Sequence, residues 1–300
     1  MFSTLLGPLP PDPNHPDRLS TDPEARRDAV DLLAASGLGL VTDGAAATDP
    51  NDAVDDVVAR WQSAAARGPL PVKQVLLGPY SGASRTGVDA DTVADRLRAM
   101  VLALGSAGCP FIEIAEPEAL AIGTDPAAAA VFAAAHRRLL DGVDGLHVSL
   151  AMTGGNVDGA GPALFFDLAY ASYAFDLIAG PDNWRLIAKA PPDRGIICGA
   201  LALADGADET REVLVWAAHY AASTHGRGLA RIGLANAPAL RQPTREVMLR
   251  KLAIVAEASR IASVESGEEM AGLLDPRAID PRSAAFGRFA PARRRTRPGP

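Results

Sequence analysis

One pattern runs along this chain of 300 residues: short apolar runs alternate with longer segments of helical character. The runs are Phe2–Leu6, Leu38–Val41, Val72–Leu77, Phe111–Ile114, Leu146–Leu150, Ala174–Ile178, Gly195–Cys198 and Ala230–Leu234. Each is short and shows no polar face, as strands buried on both sides require. Helices are expected from Asp22, over Asp52–Ala66 and Asp91–Ser106, and from Asp125 to Leu140. Others are expected over Pro162–Ser172, Asn183–Ala188, Glu209–Thr224 and Thr244–Ile261. Asp22-Pro23 and Asp125-Pro126 are helix starts, because proline at the first helical position loses no hydrogen bond. Gly37 and Gly226 are matching stops.

Eight strands alternating with helices predict an α/β protein, a single parallel (β/α)₈ barrel over residues 1–280. The competing open doubly wound sheet has no G-x-G-x-x-G after the first strand and no phosphate-binding loop to support it. Residues 281–300 read as a disordered Pro/Arg-rich tail. They include Arg293, Arg294, Arg295 and Arg297 and cannot bury an apolar face. A formal charge of −7 disfavours nucleic acid as a partner. Two cysteines, Cys109 and Cys198, make no disulfide framework. No apolar stretch reaches the ~18 residues of a membrane span, and no secretory leader is evident. A cytoplasmic protein acting on a small molecule is the expectation, as a homodimer or with a heteromeric partner.

A barrel keeps its chemistry at the C-terminal ends of its strands. Those ends read Gly7-Pro8-Leu9-Pro10, Thr42-Asp43-Gly44, Leu77-Gly78-Pro79-Tyr80, Ile112-Glu113-Ile114-Ala115-Glu116-Pro117 and His147-Val148-Ser149. In this order they resemble the C-terminal catalytic barrel of cobalamin-independent methionine synthase. The wider superfamily includes uroporphyrinogen decarboxylase and epoxyalkane:coenzyme M transferase. The resemblance covers roughly Leu6 to Ala262. It implies alkyl transfer to a thiol that a zinc ion holds as thiolate.

The family's ligands are a His-x-Cys pair, a Glu and a second Cys. Here His147 keeps the histidine, but Ser149 replaces the cysteine. Ala179 stands where the Glu would fall, and no cysteine follows Asn236. Three of the four zinc ligands are thus missing; zinc stays possible, and the cofactor is otherwise unknown. Ala45 and Ala115 replace the acidic groups that hold the homocysteine amine, which argues against methionine synthase itself. The expected activity is therefore methyl transfer on a rewired site, or a metal-free lyase or decarboxylase reaction. A non-catalytic barrel serving as a partner subunit is the alternative.

The candidate catalytic residues are His147, Glu116 and Cys198. His147 is a general acid/base, or a metal ligand if a metal binds. Glu116 is a base or cation-binding carboxylate, and Cys198 a nucleophile. Asp43, Tyr80, Ser81, Arg85, Ser149 and Asp176 are candidates to bind substrate. Each has a plain structural alternative: a turn cap, a solvated arginine, a buried small residue. Lys73 and Lys189 are poorly placed for an aldolase's Schiff base.

Overall fold

The computed structural model describes residues 1–12, 15, 17–18, 22–204, 210–238 and 243–275. The expected tail lies outside them. Seven parallel strands form one curled sheet: β1 (Phe2–Thr4), β2 (Gln74–Leu77), β3 (Ile112–Ala115), β4 (Val148–Met152), β5 (Ser172–Asp176), β6 (Gly195–Leu201) and β7 (Ile232–Asn236). Their order is β1-β7-β6-β5-β4-β3-β2.

The main helices are α1 (Pro23–Ala35), α2 (Val54–Ala65), α3 (Pro79–Thr86), α4 (Ala90–Ser106), α5 (Pro126–Leu140), α6 (Pro162–Phe166), α7 (Trp184–Ile187), α8 (Arg211–Ser223), α9 (Arg245–Ala262) and α10 (Gly267–Leu273). Asp22, Asp125 and Thr244 each accept a backbone N–H in the first turn of the helix that follows. Gly37, at φ +85, makes the left-handed stop after α1. The helix expected over Pro162–Ser172 ends at Phe166, and α3 was not foreseen.

The expected second strand does not form. Leu38–Val41 contributes only single parallel bridges, Thr4 to Leu40 and Val41 to Val72. Glycines flank this segment, and the next two side chains pull it out of extension. Thr42 Oγ1 accepts the Gly44 N–H at 2.8 Å, and Asp43 Oδ1 accepts the Ala45 N–H at 3.1 Å. Such local bonds compete with a ladder.

Two edges of the sheet therefore face each other across a seam of few backbone bonds. Leu40 N–H donates to Ser3 O, Val41 N–H to Pro71 O and Lys73 N–H to Val41 O. Side chains hold β1 on both sides. Toward β7, Asn236 grips Leu6 on both backbone groups, accepting from its N–H at 3.0 Å and donating to its carbonyl at 2.8 Å. Lys73 Nζ donates to Leu5 O at 2.7 Å and pairs with Glu113 on β3. Both members of that ion pair are buried.

Packing divides into two layers. Between sheet and helices lies the large core, with Leu76, Ile112, Ile114, Leu150, Tyr173, Phe175, Ile196, Cys198 and Leu234. Inside the curl lies a smaller cluster of Leu6, Leu40, Phe111, Ala151, Ala174, Ile197 and Ala235, with Phe2 packed against it. Three of those residues are alanines, so the interior has room for long polar side chains such as Lys73 and Glu113.

Removing one partner of a buried ion pair strands the other, at a cost of about 3–5 kcal/mol. Lys73→Met is expected to lower unfolding stability by about that much, read by urea denaturation. The double variant Lys73→Met/Glu113→Leu should recover most of the loss, because no charge is then left buried.

Candidate functional site

Glu116 follows β3 directly and is fully buried. Its carboxylate caps α3. Oε1 accepts the Tyr80 N–H at 2.9 Å, and Oε2 accepts the Ser81 N–H at 2.8 Å and the Ser81 hydroxyl at 2.6 Å. The anion thus sits on the free N–H groups at a helix start, where the helix dipole favours negative charge. Glycine is required opposite: a Cβ on Gly78 would lie 2.1 Å from Glu116 Oε1. Ser81 Oγ in turn accepts the Glu118 N–H at 3.1 Å.

Behind Glu116 stands a residue that the sequence did not single out. His136 on α5 is fully buried, and its Nδ1 lies 2.5 Å from the Tyr170 hydroxyl. Its Nε2 approaches Glu116 Oε1 to 3.1 Å, without the alignment of a hydrogen bond. Ser81, Glu116, His136 and Tyr170 therefore form one enclosed polar chain, all four buried. Burial pushes the Tyr170 phenol well above its ordinary range, with the Glu116 charge adding to it. The only signal for His136 in the sequence was a histidine among alanines and leucines on the core face of a helix.

Two other candidates, Tyr80 and Arg85, sit on α3 beside this chain, and Asp43 has partners of its own. Tyr80 is half-buried with its ring edge-on to Phe132, and burial and the Glu116 charge raise its pKa. Arg85, on the last turn of α3, is exposed and pairs with Glu118 at 3.2 Å. Asp43 pairs with Arg26 at 3.1 Å while capping its own turn.

Asp176 is the last residue of β5 and is fully buried. Its Oδ1 accepts the Ile178 and Ala179 N–H groups at 3.0 and 2.8 Å. Its Oδ2 reaches across to the Gly154 N–H at 3.0 Å, in the loop after β4. Asn183 laces the same loops, donating to Gly155 O and Asp176 O.

The remaining three lie elsewhere. His147 precedes β4, so it stands at the N-terminal end of its strand, opposite the end where the sequence reading put it. The run from Leu146 to Met152 has no alternation to fix its frame, and the strand begins two residues later than expected. The His147 ring stacks on Phe111 with centroids 4.3 Å apart, and Nε2 lies 2.9 Å from Ser172 Oγ. Ser149 is buried inside the sheet, with its hydroxyl 3.4 Å from Ser172 O. Cys198 sits mid-strand in β6 and points into the core under the helices, where burial pushes its thiol up to about 12. Such a thiol is protonated at neutral pH and is a weak nucleophile. Cys109 is likewise pushed up, to about 11. The structure thus brings Glu116, Tyr80 and Ser81 together and keeps His147 and Cys198 apart from them.

Zinc chemistry needs about three protein donors on one point. Among the described residues, no three His, Cys, Asp or Glu side chains gather in that way. At the ends of the seven strands stand Thr4, Leu77, Ala115, Met152, Asp176, Leu201 and Asn236, a set that does not fit a zinc ion.

Glu116→Ala is expected to leave two N–H groups and a hydroxyl without their acceptor. At about 1–3 kcal/mol for each stranded group, the loss should reach at least about 3 kcal/mol in denaturant melts. For His147, desolvation lowers the pKa below the ordinary 6.5, although the residue is exposed on its free side. The unfolded chain then takes up this proton first, so stability falls as pH drops below about 6.5 and levels off below the folded pKa. Melting curves from pH 8 to 5 should show wild type losing stability relative to His147→Gln over that window.

No family model matches the sequence, and a search of curated proteins finds no match. Solved structures do resemble it. A B12-independent methionine synthase from a Shewanella species, in complex with selenomethionine, superposes with TM-score 0.69 at 12% identity, over 91% of this chain and 99% of that one. A methyltransferase from Methanosarcina mazei gives 0.59 at 15% identity, covering 87% and 93%. A xylose isomerase-like TIM barrel protein from Mycobacterium smegmatis, in complex with magnesium, gives 0.56 at 13%, covering 88% and 97%. At these identities the likeness is one of fold: a parallel α/β sheet of the TIM-barrel kind, with methionine-synthase-like and methyltransferase barrels among its neighbours.

Proposed function

We propose that this chain is a methionine-synthase-like barrel, with its second strand pared to residues 40 and 41, that acts on a small molecule. Its reaction is methyl transfer to a thiol, or a close relative of it, run without the family's zinc site. The superposition on a methionine synthase over 91% of this chain and 99% of that one carries this reading. The reading places substrate at the C-terminal ends of the strands, where Asp176 and the α3 start lie. Tyr80 and Arg85 would meet substrate from α3, and Glu116 would hold that helix in place rather than touch the reacting atoms. No helix among the described residues is long and apolar enough to cross a membrane.

A second reading, the non-catalytic partner barrel, is supported by one observation. Glu116, Asp176 and Asp43 all spend their oxygens on backbone N–H groups, a serine hydroxyl or an arginine.

Purified protein incubated with a panel of methyl donors and thiols, homocysteine included, decides between the readings. Methylated thiol that survives a chelator, with no metal retained by the protein, is the expected outcome. Product that needs added zinc would overturn the zinc-free part of the proposal. No product, together with no thermal shift from any thiol or small acid, would favour the partner barrel.

A further inference from the structure

Tyr80, half-buried at the start of α3, is held at two points. Its backbone N–H donates to Glu116 Oε1 at 2.9 Å. Its ring stands edge-on to that of Phe132, with centroids 5.7 Å apart. Both holds lead back to His136. The His136 ring lies 4.0 Å from the ring of Phe132, one turn before it on α5. Its Nε2 lies 3.1 Å from the same Glu116 Oε1 that Tyr80 uses. Phe165 on α6 meets Phe132 edge-on at 5.9 Å. Glu116, Phe132, His136 and Phe165 are all fully buried, so a shift in one is felt by the others.

The hydrogens of the His136 ring follow from these distances. A bare lone pair on Nε2 would face a carboxylate oxygen at 3.1 Å and be repelled by it. Nε2 therefore carries a hydrogen. Nδ1 of the neutral ring is then an acceptor, and the Tyr170 hydroxyl donates to it across 2.5 Å. Tyr170 thus selects the tautomer, since the partner of one ring nitrogen decides which of the two is protonated. The Nε2 hydrogen is not aligned for a hydrogen bond. It acts on Oε1 through charge, in a buried place where charge is weakly screened.

We propose that His136 is the positioning residue of the strand-end face: its Nε2–H steadies Glu116 Oε1, its ring steadies Phe132, and together these fix Tyr80 by backbone and by ring. The use of Tyr80 rests on the reading above, in which it meets substrate. The holding of Tyr80 does not.

Amide exchange followed by NMR tests the holding with no substrate present. Full-length wild type is compared with His136→Leu, which has no donor, and with His136→Gln, whose side-chain amide N–H reaches about as far as Nε2. In His136→Leu the Tyr80 and Ser81 amides should exchange at least about tenfold faster, the size of one lost interaction with a charged group, after correction for any change at the amides of β5 and β6. His136→Gln should recover most of that protection. Long-range proton–nitrogen spectra of wild type should place the His136 hydrogen on Nε2. Unchanged exchange at Tyr80 and Ser81, acceleration shared equally by β5 and β6, equal behaviour of the two variants, or a ring hydrogen on Nδ1 alone would each overturn the proposal. A wild type that methylates no thiol would overturn the reading of the reaction instead, and the exchange rates would still decide whether His136 holds Tyr80.

Discussion

Lys73 holds the curl of the sheet together. A parallel sheet closes on itself when every strand finds two neighbours, and here one strand is nearly missing. Between β1 and β2, among the described residues, only single bridges at residues 40, 41 and 48 supply backbone bonds. The lysine reaches over that gap to the Leu5 carbonyl and ties it to Glu113 on β3. Charge inside a protein is costly unless paired and hydrogen-bonded, so the pair also fixes the alignment of three strands. The alanines of the inner layer leave the space, and the ion pair occupies it.

The same economy governs the candidate site. Carboxylates placed after parallel strands are often read as reactive groups. Here Glu116 serves a helix start and Asp176 serves two loops, each through several N–H donors. Both carboxylates are held in place by these bonds, and they shape the loops at the strand ends. The groups with reactive reputations, Cys198 and His147, lie under the helices and at the N-terminal end of the sheet.

Much of this fold was legible in the sequence, because apolar runs and proline-capped helix starts are local signals. Seven of the eight runs became strands. The eighth failed because Thr42 and Asp43 bond to their own backbone, which periodicity does not reveal. Strand frame was harder: a strand buried on both faces has no alternation, so His147 was assigned to the wrong end. α3 was missed because its start is capped from Glu116, thirty-five residues away from Ser81. His136 stayed hidden for the same reason, since its partners come from two other elements.

The Asn236 grip on Leu6 joins residues 230 apart in sequence. Contacts that distant form late, because the intervening chain must first be ordered. During synthesis β1 has only the bridge to Leu40 until β7 has left the ribosome. Until then its other edge is an open template. A chain of this kind depends on the growing half-sheet staying unentangled until its last strand arrives.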